Sequence, residues 1–226
     1  KIFCPKKLES IFPVGLDLEF HDELDLTRTL RSHIAQDVAE WTSKLIDGKI
    51  SEAKELSIQI IKQGFELYIT NDLEVAKTYV KERYDGQDEK RFGLIASSKP
   101  KILPRYGIKN GWMDTRLVRF GPWYSDEPSS EKSCCALNST VTEFGCQGLE
   151  LDMPIICWGE DLIWENGWKK FSRARGQKDP HMLRLNSYRV LLSRGRDGII
   201  VFIPPELEST YKILVESGLL ELNLTE

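Results

Sequence analysis

Asn186-Ser-Tyr-Arg-Val-Leu-Leu-Ser-Arg-Gly-Arg-Asp197 runs straight into Gly198-Ile-Ile-Val-Phe-Ile203, which stops at Pro204-Pro205. Leu183–Leu192 reads as helix. The run after it has no polar position to turn toward water, so it reads as a strand buried on both faces, the pattern of a covered parallel sheet. Neighbouring segments repeat the pattern. Phe65–Thr70, Phe92–Ala96 and Pro154–Trp158 are short apolar strands, and Asn138–Thr142 is another, followed by a short helical turn. Gly15–Phe20 alternates Leu16, Leu18 and Phe20 with charged residues and suits a half-buried strand. Amphipathic segments lie between. Ser32 caps a helix to about Ile46, with Ile34, Val38, Trp41 and Leu45 on one face and Gly48 past its end. A second runs from Ser51 to Gly64, a third is capped by Asp72, and Glu206–Ser217 closes the chain. Strands alternating with helices predict an α/β fold with a mostly parallel central sheet flanked by helices. Two features interrupt it. Ser97–Ser133 dissolves into Pro, Gly, Lys and aromatics and reads as an insertion of about residues 97–137, and Asp161–Phe171 reads as a β-hairpin around Asn166-Gly167. Ligands of such sheets bind beyond the carboxyl ends of the strands, which directs attention to the loops there.

With 226 residues, 41% apolar and 29% charged, the chain has material for one large α/β domain. A net charge of −4 excludes a wholly basic nucleic-acid coat. No run approaches the ~20 apolar residues of a membrane span, and the first ten residues lack a signal peptide's apolar stretch; no membrane partner is expected. The five cysteines, Cys4, Cys134, Cys135, Cys146 and Cys157, are odd in number and show no CxxC spacing. They argue against a zinc site or disulfide framework and for the reducing cytoplasm; Cys134-Cys135 reads as buried packing. His21, His33 and His181 stand far apart, so no metal site is expected. Charge is uneven: Trp168–Arg196 holds nine basic residues against Asp179 alone, a net +8, leaving −12 for the remainder. Such a segment is either a phosphate-facing surface or a solvated basic face.

The phosphate-cradling pattern GxxxxGK[ST] does not occur; Gly48-Lys49 lacks both the upstream glycine and the following hydroxyl. Asp22-Glu23 follows a strand already carrying Asp17 and Glu19 and reads as a solvated turn rather than a Walker B acid. The chain alone is therefore not expected to hydrolyse a nucleoside triphosphate. Glu52-Ala53-Lys54 falls on a helix, whereas restriction-type nuclease chemistry needs a strand end, so a nuclease is set aside.

Two segments are more specific. Thr140-Val-Thr-Glu-Phe-Gly-Cys-Gln-Gly-Leu-Glu-Leu-Asp152 precedes one apolar strand, and Asn186–Asp197 precedes another. They resemble motifs V and VI of superfamily 1 helicases. Leu26-Thr-Arg-Thr-Leu-Arg-Ser32 looks like motif IV, in the right chain order. Leu30–His33, the helix with Trp41, Thr142–Asp152, Asp179-Pro-His181 and Asn186–Gly198 together resemble the Schlafen group 3-like DNA/RNA helicase domain over about residues 24–205. Phe144 departs from the motif V position that often holds His, and Arg196 from a smaller residue in motif VI. The resemblance implies a RecA-like fold, with residues 1–23 an entry segment from a missing N-terminal domain and residues 24–226 a second RecA-like domain. It also implies ATP and Mg2+ as cofactors of the full-length protein, none held by this chain alone, with DNA or RNA and the N-terminal RecA-like domain as partners.

By that resemblance Arg194 is the motif VI arginine finger and Arg31 the motif IV arginine, both reaching a γ-phosphate. A guanidinium fork suits phosphate, and placed positive charge is most of what phosphoryl transfer requires. Gly148, Glu150 and Gln147 would contact the nucleotide, and Thr142 a nucleic-acid phosphate. Trp168, Lys169, Lys170, Arg173 and Arg175 place an aromatic among cations, a pattern that stacks bases and neutralises phosphates; the other reading is a Trp164–Trp168 cross-strand pair that holds the hairpin. Trp112, Trp123 and Tyr124 pose the same question, with core packing their expected role. The function expected is the C-terminal half of a helicase-like ATPase; the alternative is a non-enzymatic helicase-derived binding module.

Overall fold

A computed structural model describes residues 2–4, 13, 15–21, 33–169 and 179–223. In chain order its elements are β1 (Ile2–Cys4), β2 (Leu18–Phe20), α1 (His33–Ile46), α2 (Ile50–Lys62), β3 (Glu66–Thr70), α3 (Leu73–Arg83), β4 (Phe92–Ala96), α4 (Trp112–Thr115) and α5 (Phe120–Ser125). They continue with β5 (Thr140–Thr142), β6 (Met153–Cys157), β7 (Ile163–Trp164), β8 (Trp168–Lys169), α6 (Pro180–Leu192), β9 (Gly198–Phe202), α7 (Glu208–Glu216) and β10 (Leu220–Glu221). Six strands form one sheet in the order β10-β3-β9-β6-β4-β5, every pairing parallel. Each residue of β4, β6 and β9 is buried. Alternate side chains of a strand point to opposite faces, so these strands are covered on both sides.

Local chemistry sets the elements. The Asp72 carboxylate caps α3 by accepting from the backbone N–H groups of Glu74 and Val75. Asp179 does the same for α6 through His181 and Met182, with Pro180 in the first turn. The expected Ser32 cap of α1 lies outside the described residues. Trp41, fully buried on α1, donates its indole N–H to the Ser217 carbonyl at 3.1 Å and ties α1 to the end of α7. β7 and β8 form the expected antiparallel hairpin, with Trp164 opposite Trp168 and positive φ at Asn166 (57°) and Gly167 (138°).

Four expectations need correction. β1 was not expected: it pairs in parallel with β2, the Leu18–Phe20 part of the expected Gly15–Phe20 strand, in a separate two-stranded ribbon. β10 adds a sixth strand beside β3 where no strand was expected. The closing helix begins at Glu208, after a 3₁₀ turn at Pro205–Leu207. Residues 97–137 are not wholly irregular; they carry α4 and α5 and bury Leu103, Ile108 and Trp123 in the common core. Among the described residues no helix is long and apolar enough to cross a membrane.

Candidate functional site

The two helicase-like segments meet at the amino ends of β6 and β9. Leu151 and Gly195 form a one-residue parallel bridge: Leu151 N–H donates to the Arg194 carbonyl at 2.9 Å, and Arg196 N–H returns to the Leu151 carbonyl at 2.9 Å. The Asp152 carbonyl then accepts from Asp197 N–H at 2.9 Å. Lys90 spans the Asp152 and Asp197 carboxylates at 3.2 and 2.8 Å and closes the same seam with side chains.

This seam places the candidate nucleotide residues. Gly148 sits in the turn before it at φ 82°, a left-handed conformation that favours glycine, and both Gly148 and Gln147 face solvent. Glu150 meets Arg196, Oε2 to Nε 3.3 Å, at the rim of a cavity of about 300 Å³ lined also by Ile34, Val38, Phe65 and Ser193. Arg194 is largely buried. Its Nε donates to the Val190 carbonyl at 2.9 Å, one terminal nitrogen to the Leu149 carbonyl at 3.3 Å, and the other to the Ser193 hydroxyl at 3.0 Å. Arg194 therefore lies against the turn at Leu149, with its guanidinium hydrogen-bonded within the chain. Arg31 falls outside the described residues; α1, the helix that follows it, supplies the cavity wall through Ile34, Ala35 and Val38.

At the carboxyl ends of β4, β5 and β6 a different cluster forms. Arg184, on the first turns of α6, reaches Asp161 (3.1 Å), Glu143 (3.3 Å) and the Ser97 hydroxyl (2.5 Å). Ser97 donates to Asp161 at 2.5 Å, and Tyr188 donates to the other Asp161 oxygen at 2.7 Å while accepting the Gly159 N–H at 3.1 Å. Glu143 also receives Ser98 through its backbone N–H (2.8 Å) and hydroxyl (3.0 Å). All of these but Ser98 are buried. Burial pushes the Asp161 carboxyl up to about 6, against the pull of Arg184 and its hydrogen-bond donors. Removing the carboxylate from water is the main cause, and the charge of the neighbouring Glu143 adds to it.

This cluster corrects the reading of the +8 segment. Of its nine cations, Arg184 is internal, Arg194 is bonded to the Val190 and Leu149 carbonyls, Arg189 pairs with Asp47, Arg196 with Glu150, and Lys169 with Glu165 at 3.0 Å. Lys170, Arg173, Arg175 and Lys178 lie outside the described residues. Trp168 is buried: its indole N–H donates to the Leu45 carbonyl at 2.7 Å, and its ring packs edge-on to Trp164 and beside Trp158. That is the cross-strand geometry, and it leaves no ring face open to a base. Thr142 is buried at the end of β5, where its carbonyl accepts Gly145 and Cys146 N–H groups. Trp123 is core, as expected. Trp112 is not: it is 70% exposed, as is Phe144. The Arg184 cluster and the open rings escaped the sequence because the partners are long-range. Arg184 and Glu143 stand 41 residues apart.

A six-stranded parallel sheet flanked by helices, with the Thr140–Asp152 and Asn186–Asp197 segments joined at its amino edge, defines a RecA-like α/β domain. The chain matches the family model of the Schlafen group 3 DNA/RNA helicase domain over residues 5–205, and it belongs to that family. No curated protein matches it.

Proposed function

We propose that the chain is the C-terminal RecA-like half of a superfamily 1 helicase-like ATPase, completing an ATP site shared with an N-terminal RecA-like domain and contacting nucleic acid. One observation carries the reading. The Leu151–Gly195 bridge brings Glu150 and Arg196, from segments more than 40 residues apart, to one cavity at the sheet's amino edge, and holds Arg194 beside them with its guanidinium on the Leu149 carbonyl. On domain closure, Arg194 exchanges its contacts with the Leu149 and Val190 carbonyls for phosphate oxygens, a trade of neutral acceptors for charged ones that favours the fork. In this reading Arg31, two residues before α1 in the sequence, serves the same site, and Glu150 orders the ribose or water there. Among the described residues no three His, Cys, Asp or Glu side chains are grouped to hold a metal, so this reading assigns the Mg2+ ligands and the phosphate loop to the N-terminal domain.

The test uses the full-length protein. Arg194→Ala is expected to lower ATP turnover by roughly 10³–10⁵, the range for an arginine finger, while nucleotide binding persists. Turnover near that of the parent overturns the assignment. Purified alone, the 226-residue chain is expected to show no ATPase activity above buffer, with or without DNA.

A further inference from the structure

A groove of about 440 Å³ opens beside the carboxyl end of β5, between the insertion and the motif V turn. Trp112, Phe120 and Phe144 line it, together with Lys99, Arg116 and Thr142. The three rings are 70%, 48% and 70% exposed. Burying one such ring is worth about 1.5–3 kcal/mol, and the same insertion does bury Trp123. A group of rings left open beside a buried core marks a surface with a ligand. The rings are also held in place. A Cβ on Gly145 would collide with the Phe120 ring, so the motif V turn and α5 are in close contact. The Arg116 guanidinium lies 4.7 Å from the Trp112 ring centroid.

Charge identifies the occupant. Between Ser97 and Ser125 there are six lysines and arginines against Asp114 alone, a net +5 in a chain of net −4. All six are exposed, and none forms an ion pair among the described residues. The basic segment later in the chain is different, since its described cations pair internally. Open aromatic faces interleaved with unpaired cations suit a polyanion that offers flat rings. A duplex keeps its bases stacked inside, so the matching polymer is single-stranded.

We propose that this groove binds single-stranded nucleic acid, with Trp112 and Phe144 stacking on bases and Lys99 and Arg116 neutralising the adjoining phosphates. This deepens the proposed function by seating its nucleic acid on the insertion. It is measured without ATP, so it fails separately from the shared ATP site.

The experiment titrates the 226-residue chain with fluorescently labelled single-stranded DNA and RNA oligonucleotides at several salt concentrations. Trp112→Ala and Phe144→Ala are each expected to weaken binding about 5- to 150-fold, and Phe144→Tyr to restore it. Lys99→Ala with Arg116→Ala should flatten the log–log salt dependence by about 0.7 per lost phosphate contact. Both rings are exposed, so thermal melting should match the parent in each variant. Parent-like affinity in Trp112→Ala and Phe144→Ala, no binding by the parent, or equal binding of a blunt duplex each overturns the assignment.

Discussion

At the amino ends of β6 and β9, charged groups line a cavity and backbone hydrogen bonds supply the cohesion; at the carboxyl ends of β4, β5 and β6, charged groups are internal and aromatic rings face solvent. The contrast follows from what each end must satisfy. The bridge between Leu151 and Gly195 pairs the main chain without using side chains, which leaves Glu150 and Arg196 at the surface of the cavity. At the other end three loops converge with hydroxyls and carboxylates already buried, and Arg184 enters to neutralise them. A buried charge with all its partners can hold a fold but has little left for a ligand. Recognition at that end passes to the rings of the insertion.

The comparison breaks or sharpens under substitution. After the loss of turnover expected for Arg194→Ala, the next largest effect belongs to its counterpart on α6. Arg184→Met leaves Glu143 and Asp161 buried without their cation and is expected to cost about 3–5 kcal/mol of stability in urea unfolding; a cost under 1 kcal/mol would mean the cluster is not integral to the core. Trp168→Ala is expected to lose about 3 kcal/mol through the vacated core volume, while oligonucleotide affinity of the folded variant holds. Weaker binding with unchanged melting would instead return Trp168 to the nucleic-acid surface.

Asp161 gives a smaller, pH-dependent effect. Its folded-state carboxyl titrates near 6, above its ordinary value of 3.8, so the folded state holds the proton more tightly than the unfolded one. The stability this group contributes is complete below about pH 4 and is lost as pH rises to about 6. Asp161→Asn should remove that slope from denaturation curves taken across the window, and an unchanged slope refutes it. Smallest is Arg196→Ala. Its pair with Glu150 is half exposed, at 51% and 32%, so stability should move by no more than about 1 kcal/mol, measurable as a small shift of the thermal midpoint.

Local chemistry was legible in the chain. The Asp72 cap, the Asn166-Gly167 hairpin and the apolar runs of β4, β6 and β9 each announce themselves within a few residues. β10 did not, because two exposed residues carry no periodicity. Cations were harder. Arg184 and Lys169 look alike in a basic stretch, yet one is buried among carboxylates and the other extends into water, and the difference lies in loops 40 residues away. Aromatics in the insertion divide the same way: Trp123 fills the space above Gly93, while Trp112, eleven residues earlier, stays exposed with the Arg116 guanidinium over its ring. In the proposed function the rule that ligands gather at carboxyl strand ends covers only half of the molecule, since Glu150 and Arg194 lie at the amino ends.

One short helix spans the distance between those ends. Phe120 opens α5 and lies in the aromatic groove; Tyr124, four residues on, donates its hydroxyl to the Glu150 carbonyl at 2.9 Å. Four residues of helix rise about 6 Å and bring both side chains to one face. Tyr124 is itself braced, its carbonyl accepting the Arg91 Nε–H at 2.8 Å. A push on Phe120 therefore arrives at Glu150 after a single turn of helix, with one hydrogen bond as the joint. In the proposed assembly, the strand-facing and nucleotide-facing surfaces would be the two arms of one short lever.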